Sequence, residues 1–421
     1  MKSPIVHRPS SIVLYLSGQL PKRSETFVYR ELLGLRAAGV TVLAASLHPP
    51  ERDLGEARLE ALANESIPVY GAGLARLLLD FFLEKISHPW RGTRVMLGAW
   101  RDAFTADDLG SSKARLKVLG QAMAALALAR RQRGRGSTHL HAHFAHAPAT
   151  VAMYAAQQLG LPFSFTGHAV DLFRDRALLK PKLQRARFVN CISDWHRAFY
   201  QELMPRPDAE YPVVRCGVDL AEFAPTERAP GHPPVLLGVG RLVPKKGFDV
   251  LLEAAAQLAA RGLDFHLRIA GDGPELERLT AQRGRLGLTN RVALLGACSN
   301  PRVRTLLAEA DLFVLPCQID REGDRDGIPV VLMEAMAAGV PVVSGDLPTL
   351  RELVRPGQTG LLVPPGDAPA LADQLANLLG HPERRAALAG AGRQWVAREF
   401  SLDVNIQRIL NLLQNTKESV T

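Results

Sequence analysis

Short apolar runs alternate with amphipathic stretches along the chain, which is the pattern of strands and helices in a parallel α/β sheet. The first half opens with an apolar run at Ser11–Leu16, a loop containing Gly and Pro, a helical stretch at Glu25–Ala38 and a second apolar run at Val40–Ser46. Three more strands are predicted in this half, at His139–Phe144, Pro162–Thr166 and Phe188–Ile192. The second half predicts five strands, at Val235–Val239, Phe265–Ala270, Val292–Leu295, Leu312–Leu315 and Pro341–Ser344.

These two series predict two doubly wound α/β domains in tandem. A length of 421 residues supports this, because single hydrophobic cores stop growing at roughly 250–300 residues. Pro-rich segments at Met204–Pro212 and Ala224–Pro234 mark the transition. We therefore expect one domain over residues 1–215 and a second over residues 216–395. Each is predicted to be a Rossmann-like parallel sheet that binds its ligand outside the carboxyl ends of the strands.

Positive charge is concentrated in the first half of the chain. The composition, 47% apolar and 22% charged, is that of an ordinary globular protein, and the net charge is +9. Residues 1–215 carry 29 basic and 18 acidic residues, a net +11, whereas residues 216–421 carry 22 and 24, a net −2. Much of the excess lies in residues 76–135, which hold 12 basic and 5 acidic residues. This distribution favours an anionic partner for the first half.

Residues 76–135 also carry apolar and aromatic side chains between the basic ones, including Phe81, Phe82, Trp90 and Trp100. Such interleaving is what an amphipathic helix at an anionic membrane surface requires. An ordinary domain helix with a solvated basic face has the same pattern, so both interpretations stay open. We find no nucleic-acid recognition motif and expect no nucleic-acid partner.

The sequence predicts a cytoplasmic protein. Its four cysteines are widely spaced, with neither a Cys-x-x-Cys pair nor a disulfide framework. Met1–Ser10 already contains a histidine, an arginine and two prolines, unlike a secretion leader. No uninterrupted apolar run has the length of a membrane span. We therefore expect any membrane contact to be peripheral, on the inner face of the plasma membrane.

The loop after the strand Val235–Val239 carries two cations. Arg241 and Lys246 stand five residues apart, between that strand and a helix predicted at Phe248–Arg261. The N–H groups of a helix start, together with two cations, suit a diphosphate. A solvated basic turn has the same spacing, so the residues alone leave both interpretations open. A further loop, Gly271–Glu275, is typical of a tight turn before a helix.

A third loop places two acids around a predicted helix start. After the strand Leu312–Leu315, a charged loop leads to Asp326, and Glu334 follows in an otherwise apolar helical run. A carboxylate in apolar surroundings needs hydrogen-bond donors, such as the hydroxyls of a ribose, or else bridges neighbouring backbone. The N–H groups at the helix start suit phosphate oxygens. We expect ligand contacts there from Gly327, Ile328, Pro329 and Val330.

In this order and spacing, the three motifs resemble those of family 4 of the glycosyltransferases, the group 1 retaining enzymes. The resemblance implies that Arg241 and Lys246 stabilise the leaving diphosphate of a nucleotide sugar. It also implies that Asp326 touches the donor sugar and that Glu334 binds the ribose. Asp326 stands where many members have Glu, so this acid is one methylene shorter.

The resemblance further implies the GT-B fold, in which two Rossmann-like domains face a cleft. Residues 1–215 would bind the acceptor and residues 216–395 the nucleotide sugar. A final helix at about Val396–Gln414, within residues 396–421, would cross back to the first domain. The implied reaction moves a hexose, with retention of configuration, from a UDP- or GDP-linked donor to a glycan or a polyprenyl-diphosphate-linked saccharide. We expect no metal or other cofactor, because the two cations stabilise the leaving group.

The first half resembles bacterial exopolysaccharide transferases of the colanic-acid type. The resembling segments are Ser17–Gln19, Ser24–Val28, His139–Phe144 and Phe165–Phe173. The resemblance implies that the Gly18 loop approaches the donor diphosphate and that Glu25 and Thr26 bind the acceptor. It also implies that His168 contacts the donor sugar near the reacting centre. The alternative for His168 is a histidine that is satisfied by local backbone.

Four histidines, His139, His141, His143 and His146, raise the question of a metal site. Alternate histidines on one strand face can bind a divalent metal. However, no cysteine lies beside them, and no Asp or Glu follows them before Asp171. We therefore expect pocket or core histidines and no metal.

Two other functional classes stay open. A nucleotide-sugar epimerase or a phosphorylase of the same fold would share the donor-site motifs. So would a non-catalytic sugar-nucleotide-binding subunit of a polysaccharide assembly complex, for which the shorter acid at Asp326 is the only hint. The presence of His168, Arg241, Lys246 and Glu334 together favours a catalyst.

Overall fold

The computed structural model describes residues 12–168, 176–225 and 233–414. The chain forms two compact units, with the boundary between Arg215 and Cys216. The second unit runs to Val404, and residues 405–414 of the described chain group with the first unit. Four parts of the predicted pattern lie outside the described residues: residues 1–11, which include the first residue of the predicted strand Ser11–Leu16, residues 169–173 of the histidine motif, residues 226–232 of the second Pro-rich segment, and residues 415–421 of the predicted C-terminal segment.

The first unit contains a six-stranded parallel sheet. Its strands are β1 Ile12–Ser17, β2 Thr41–Ser46, β3 Ile67–Pro68, β4 His139–His143, β5 Phe163–Gly167 and β6 Phe188–Cys191. Its helices are α1 Thr26–Ala37, α2 Ala57–Glu65, α3 Gly73–Ser87, α4 Pro89–Thr105, α5 Ser112–Gln132, α6 Ala147–Leu159, α7 Leu179–Arg185 and α8 Asp194–Leu203. The strand order is β3-β2-β1-β4-β5-β6, with Val13 of β1 opposite both Val42 of β2 and His139 of β4.

The second unit repeats this architecture. Its strands are β7 Val235–Val239, β8 His266–Ala270, β9 Val292–Leu294, β10 Leu312–Leu315, β11 Val342–Gly345 and β12 Leu361–Val363. Its helices are α9 Phe248–Ala260, α10 Leu276–Arg285, α11 Asn300–Glu309, α12 Val330–Ala337, α13 Ala368–Gly380 and α14 Pro382–Glu399, and α15 Leu402–Gln414 begins in this unit. The strand order is β12-β11-β10-β7-β8-β9.

The predicted α/β fold class with parallel sheets is confirmed. Each unit buries its own apolar core, and β4, β5, β6 and β10 are buried along their whole length, as expected where helices cover both faces of a parallel sheet. The predicted strands form within one or two residues of their expected positions. Two edge strands escaped prediction, β3 and β12, because two or three residues are too short to show a period.

The final helix predicted at about Val396–Gln414 ends at the expected residue, but its predicted start is wrong because the helix begins at Leu402. The chain is not helical between α14 and α15. There Ser401 forms an isolated parallel β-bridge with Val218. The N–H of Val218 donates to the carbonyl oxygen of Phe400 at 2.9 Å, and the N–H of Leu402 donates to the carbonyl oxygen of Val218 at 2.8 Å. Phe400 is fully buried, so packing and these hydrogen bonds outweigh local helix propensity there.

The strand order reverses at one point in each sheet, between β1 and β4 in the first unit and between β7 and β10 in the second. In doubly wound folds, ligands bind outside the carboxyl ends of the strands at such a switch point. The loops that follow these four strands carry almost all of the predicted site residues.

Candidate active site

The loops after β7 and β10 meet at the switch point of the second sheet. After β7, a short 3-10 helix at Pro244–Lys246 ends at Gly247, which has φ +67° and precedes α9. A Cβ on Gly247 would lie 2.1 Å from the carbonyl oxygen of Pro316, the residue that follows β10. Only glycine tolerates both this φ and this close approach. The contact fixes Lys246 beside the loop that follows β10.

Lys246 and Asp326 form a largely buried ion pair. Nζ of Lys246 lies 2.9 Å from Oδ2 of Asp326, and each side chain is 13% exposed. Nζ of Lys245 lies 3.0 Å from Oδ2 of Asp324 and 3.6 Å from Oδ1 of Asp326. Burial opposes both charges, yet the carboxylate of Asp326 raises the pKa of Lys246 and the two lysines lower the pKa of Asp326. Both groups therefore stay ionised at neutral pH.

Two residues that the sequence did not single out hold Asp326 in place. Oγ1 of Thr349 donates to the carbonyl oxygen of Asp326 at 2.9 Å, and Sγ of Cys317 lies 3.5 Å from its Oδ2. Burial raises the pKa of the Cys317 thiol, so the thiol keeps its proton and donates to the carboxylate. Cys317 follows β10 and Thr349 follows β11, so both lie at the carboxyl edge of the sheet near the switch point. This position after a strand is the one sequence signal that could have identified them.

The other predicted donor-site residues lie on the same loops and on the helix that follows. Arg241 is exposed, and its charge lies close enough to Lys246 to lower the pKa of the lysine, against the larger effect of Asp326. Glu334 is buried on α12, whose first residue is Val330. Gly327 and Pro329 are buried just before that helix, and Ile328 and Val330 are partly buried. Their roles toward a ligand stay predictions.

The glycines of the loop after β8 support the cation-bearing loop. A Cβ on Gly271 would lie 1.8 Å from the carbonyl oxygen of Gly240, and a Cβ on Gly273 would lie 2.5 Å from that of Leu242. The N–H of Leu242 donates to the carbonyl oxygen of Asp272 at 2.9 Å. Backbone therefore packs directly on backbone, and this tight turn also sets the path of the loop that carries Arg241.

Replacing Gly271 with alanine is expected to lower the free energy of unfolding of the second unit by about 1–3 kcal/mol. The added methyl group would overlap the carbonyl oxygen of Gly240, and a backbone oxygen cannot move away by a side-chain rotation. Urea unfolding measures this. The matched control is Gly284→Ala on α10, where a Cβ meets open space and alanine is the better helix former by about 1 kcal/mol. Equal stability of Gly271→Ala and the unmodified protein would contradict the close packing.

A chain of buried hydrogen-bonding groups lies at the switch point of the first sheet. The hydroxyl of Tyr15 donates to Oε1 of Glu31 at 2.8 Å, and Nε2 of His143 lies 3.0 Å from the same oxygen. Nδ1 of His143 lies 3.3 Å from Nε2 of His168. Because a carboxylate oxygen only accepts, a neutral His143 carries its proton on Nε2 and accepts at Nδ1. His168 then donates from Nε2, which leaves its Nδ1 as an acceptor.

His168 follows β5 and packs between two aromatic rings. Its ring centroid lies 4.6 Å from that of Phe27 and 4.5 Å from that of Phe144. Burial lowers the pKa of His168 well below its ordinary value, so the ring is neutral at physiological pH. One hydrogen-bonding partner of His168 is the side chain of His143, 25 residues away in the chain. This contact argues against the alternative in which local backbone alone satisfies His168.

The histidines of β4 acquire an acidic neighbour that sequence reasoning missed. Glu31 lies 112 residues from His143 in the chain, yet donor atoms of Glu31, His141 and His143 lie within 4.8 Å of one another. The ring nitrogens of His141 lie 2.7 Å from Oγ of Ser164 and 3.0 Å from Oγ1 of Thr166. Both rings therefore use their nitrogens within the protein, and the predicted lack of a metal stays a prediction.

The other two histidines also contact protein groups. Nε2 of His139 lies 2.6 Å from Oγ of Ser164, and burial lowers the pKa of His139 to about 3. Nδ1 of His146 accepts from the N–H of Ala147 at the start of α6. These contacts fit the expectation that the histidines serve the core and the pocket wall.

The predicted acceptor residues lie in the loop after β1. Among the described residues, no atom lies within 4 Å of a Cβ built on Gly18. Nζ of Lys22 donates to Oε1 of Glu25 at 2.6 Å, and burial raises the pKa of Glu25 despite that lysine. Thr26 is the first residue of α1. Space therefore remains open at Gly18, and the acceptor roles of Glu25 and Thr26 stay predictions.

A groove of about 780 Å³ opens beside Gly18 in the first unit. Its walls are mainly apolar and come from α3, α5 and the chain after β2, with Leu47, Tyr70, Leu77 and Met123 among them. The groove thus adjoins the carboxyl edge of the sheet.

Comparison with known proteins finds a family match within the second unit. Residues 221–395 match the glycosyl transferases group 1. The matched segment includes the cation loop, the Lys246–Asp326 pair and the buried Glu334.

Curated proteins similar to this chain include glycosyltransferases named for colanic acid and amylovoran biosynthesis. The chain is 39% identical over 211 residues to the putative colanic acid biosynthesis glycosyltransferase WcaL of Salmonella typhimurium. This match covers 49% of this chain and 52% of that protein. It is 34% identical to a GDP-mannose-dependent phosphatidylinositol monomannoside mannosyltransferase of Mycolicibacterium smegmatis, over 51% of this chain and 58% of that protein. The chain thus spans a little over half the length of these curated relatives.

Two solved structures each match 96% of the chain. Sucrose-phosphate synthase from Thermosynechococcus elongatus superposes with a TM-score of 0.73 and 20% identity, covering 96% of this chain and 99% of that one. Anabaena HepE, solved in complex with UDP and glucose, gives a TM-score of 0.69 and 18% identity, with the same coverage. This likeness confirms the predicted GT-B fold.

Proposed function

We propose that the protein is a retaining glycosyltransferase. It moves a hexose from a UDP- or GDP-linked sugar to a glycan or lipid-linked saccharide in the biosynthesis of exopolysaccharide or another cell-surface polysaccharide. The observation that carries the proposal is the buried Lys246–Asp326 pair at the switch point of the second sheet, within the segment that matches the glycosyl transferases group 1. Further support comes from relatives named for colanic acid and amylovoran biosynthesis, and from Anabaena HepE, which was solved with UDP-glucose.

In the proposed reaction, the bond between C1 of the sugar and the diphosphate breaks while the acceptor oxygen bonds to C1 from the same face. The proton of the acceptor hydroxyl passes to an oxygen of the departing diphosphate. Lys246 and Arg241 stabilise the charge that develops on that leaving group, and Lys246 acts strongly because its side chain is largely buried. Asp326 holds the Lys246 ammonium at one edge of the site. Neutral His168, with Nδ1 as an acceptor, binds a sugar hydroxyl.

The apolar groove beside Gly18 supports an acceptor with an apolar part. A volume of about 780 Å³ is within the range of small-molecule sites. A polyprenyl diphosphate carries a hydrocarbon chain next to its polar head, and such a chain gains free energy when it leaves water for these walls. The groove therefore favours a lipid-linked saccharide over a free glycan.

Helices α3 and α4 support peripheral contact with an anionic membrane. Among the described residues, no helix has both the length and the apolar character needed to cross a bilayer. Side chains such as Phe81 and Val95 pack inward, but Ile86 is 74% exposed and Trp90 is 88% exposed. Each of the two interpretations of the sequence pattern therefore fits part of these helices. One apolar face packs in the core, as in an ordinary domain helix, and a second lies at the surface next to exposed arginines, as in a membrane-surface helix.

Nucleotide sugars are expected to raise the unfolding temperature. A panel of UDP- and GDP-linked sugars in a thermal-shift assay checks this, since a ligand at a hundred times its Kd stabilises by about 2.7 kcal/mol. The sugar that shifts the unfolding temperature is then supplied with a radiolabel and a lipid-linked saccharide, and label transfer is measured. Incubating the donor without acceptor is the control, because an isomerised donor would indicate an epimerase. If no nucleotide sugar shifts the transition, the donor-site proposal fails.

A further inference from the structure

A basic cavity lies at the edge of the first sheet opposite to Gly18 and His168. It has a volume of about 640 Å³ and lies at the amino ends of β5 and β6, between α4 and α6. Four arginines line it: Arg94 and Arg101 from α4, and Arg185 and Arg187 from the chain before β6. Within the described part of the chain, the lining contains no acidic side chain. Neither the donor motifs nor the histidine chain uses this cavity.

One wall of the cavity is a fixed, charged framework. The guanidinium of Arg185 lies 2.7 Å from both carboxylate oxygens of Asp102, and the hydroxyl of Tyr154 donates to the same carboxylate at 2.8 Å. Burial opposes the charge of Arg185, but its hydrogen bonds and attraction to Asp102 raise its pKa. Asp102, buried behind the lining, offsets one of the four positive charges, and Arg101 lies 3.7 Å from it. An excess of positive charge therefore faces the cavity.

The other wall continues into an exposed apolar surface. Leu97 lines the cavity and is 64% exposed, and Trp100 and Phe104 are exposed further along α4, with ring centroids 5.0 Å apart. Arg94, Leu97, Arg101 and Phe104 follow one another at helical spacing, so basic and apolar groups share one stripe. A site for a soluble anion does not require an exposed apolar surface beside it. A phospholipid does match this surface, because its phosphate lies next to acyl chains.

We propose that this cavity binds the headgroup phosphate of an anionic phospholipid while Leu97, Trp100 and Phe104 enter the interfacial layer of the membrane. Guanidinium groups bind phosphate oxygens in pairs, and aromatic side chains favour the interface. The inference rests on the proposed membrane contact of helices α3 and α4 and adds to it a defined headgroup site. It does not depend on the identity of the donor or the acceptor.

The test is co-sedimentation with vesicles of phosphatidylcholine alone and of equal parts phosphatidylcholine and phosphatidylglycerol. The variant Arg94→Gln/Arg101→Gln leaves the Arg185–Asp102 pair intact and is expected to bind the anionic vesicles about 25-fold more weakly, at about fivefold per basic group near an anionic surface. The control Lys113→Gln/Arg130→Gln removes the same charge from exposed positions on α5 outside the cavity. It is expected to lose less than about twofold, because distant charges are screened at physiological salt.

Equal losses in the two variants would indicate diffuse electrostatic attraction and overturn the headgroup site. Unchanged binding of the Arg94→Gln/Arg101→Gln variant would also overturn it, as would an equal loss on phosphatidylcholine alone. If the unmodified protein binds neither vesicle, the membrane contact itself fails. The nucleotide-sugar thermal shift, measured on every variant, verifies folding and reports the donor site separately. A retained shift without vesicle binding therefore rejects this inference and leaves the glycosyltransferase proposal standing.

Discussion

Replacing Lys246 with alanine is expected to lower kcat by about 10²–10³-fold, the usual cost of removing one preorganised group that stabilises charge in a transition state. The ammonium is held 2.9 Å from Asp326 and stays protonated despite its burial. It therefore offers full charge to a leaving diphosphate without reorganisation. Initial rates of sugar transfer, with the donor identified by thermal shift, measure the effect. Acceptor binding is expected to change little, because Lys246 belongs to the second unit.

The neighbouring lysine provides the matched control. Lys245 lies 3.0 Å from Asp324 and 3.6 Å from Asp326, so its alanine variant removes the same charge from the same loop but leaves the Lys246–Asp326 pair. Lys245→Ala is expected to cost less than about tenfold, as for a partly exposed ion pair. Removing Lys246 also leaves Asp326 with a weaker partner, so urea unfolding of both variants accompanies the kinetics. Unchanged turnover in Lys246→Ala, or equal losses in the two variants, would reject the assignment.

The cation loop shows what sequence reasoning captured well. Arg241 and Lys246 follow an apolar strand and precede a helix, and local pattern determines all three features. The approach of Lys246 to Asp326 depends on strand order, because β7 and β10 are neighbours in the sheet although 80 residues separate these two side chains in the chain. The resemblance to known enzymes assigned both loops to one donor site, but it did not predict the ion pair between Lys246 and Asp326. The residues alone showed only that both loops follow strands of one parallel sheet.

Other features depend on contacts that no local pattern records. Glu31 looks like any polar residue of an amphipathic helix, and only the packing of α1 brings it to the histidines of β4. No acidic residue follows those histidines before Asp171 in the sequence, but the fold brings the carboxylate of Glu31 into contact with His143. The premise that these histidines have no acidic neighbour was therefore wrong. Likewise, the break between α14 and α15 is set by Val218, which lies far away in sequence. Tertiary contacts override local preference at both places.

Glu31→Gln is expected to lower kcat by roughly 10–100-fold, although Glu31 lies two hydrogen bonds away from the proposed sugar contact. The carboxylate accepts from His143 Nε2, and that proton position makes His168 donate from Nε2 and accept at Nδ1. A neutral amide oxygen accepts the His143 proton less strongly, because a hydrogen bond to a neutral group contributes about 0.5–1.5 kcal/mol and one to a charged group about 1.5–3 kcal/mol. The second tautomer of His143 then becomes populated, and His168 presents a proton where the sugar hydroxyl needs an acceptor.

This role is one of positioning, so its test needs a readout that mere destabilisation does not move. Glu31→Asp keeps an acceptor-only group and is expected to recover part of kcat, and ¹⁵N NMR of His168 reports directly which ring nitrogen carries the proton. Tyr15→Phe is the matched control, because it removes the other donor to Oε1 of Glu31 without changing the proton on His143. It is expected to cost no more than about 0.5–1.5 kcal/mol of stability and little activity. A His168 tautomer that is the same in Glu31→Gln and in the unmodified protein would exclude the relay, and full activity in Glu31→Gln would show that the His168 tautomer has no part in sugar transfer.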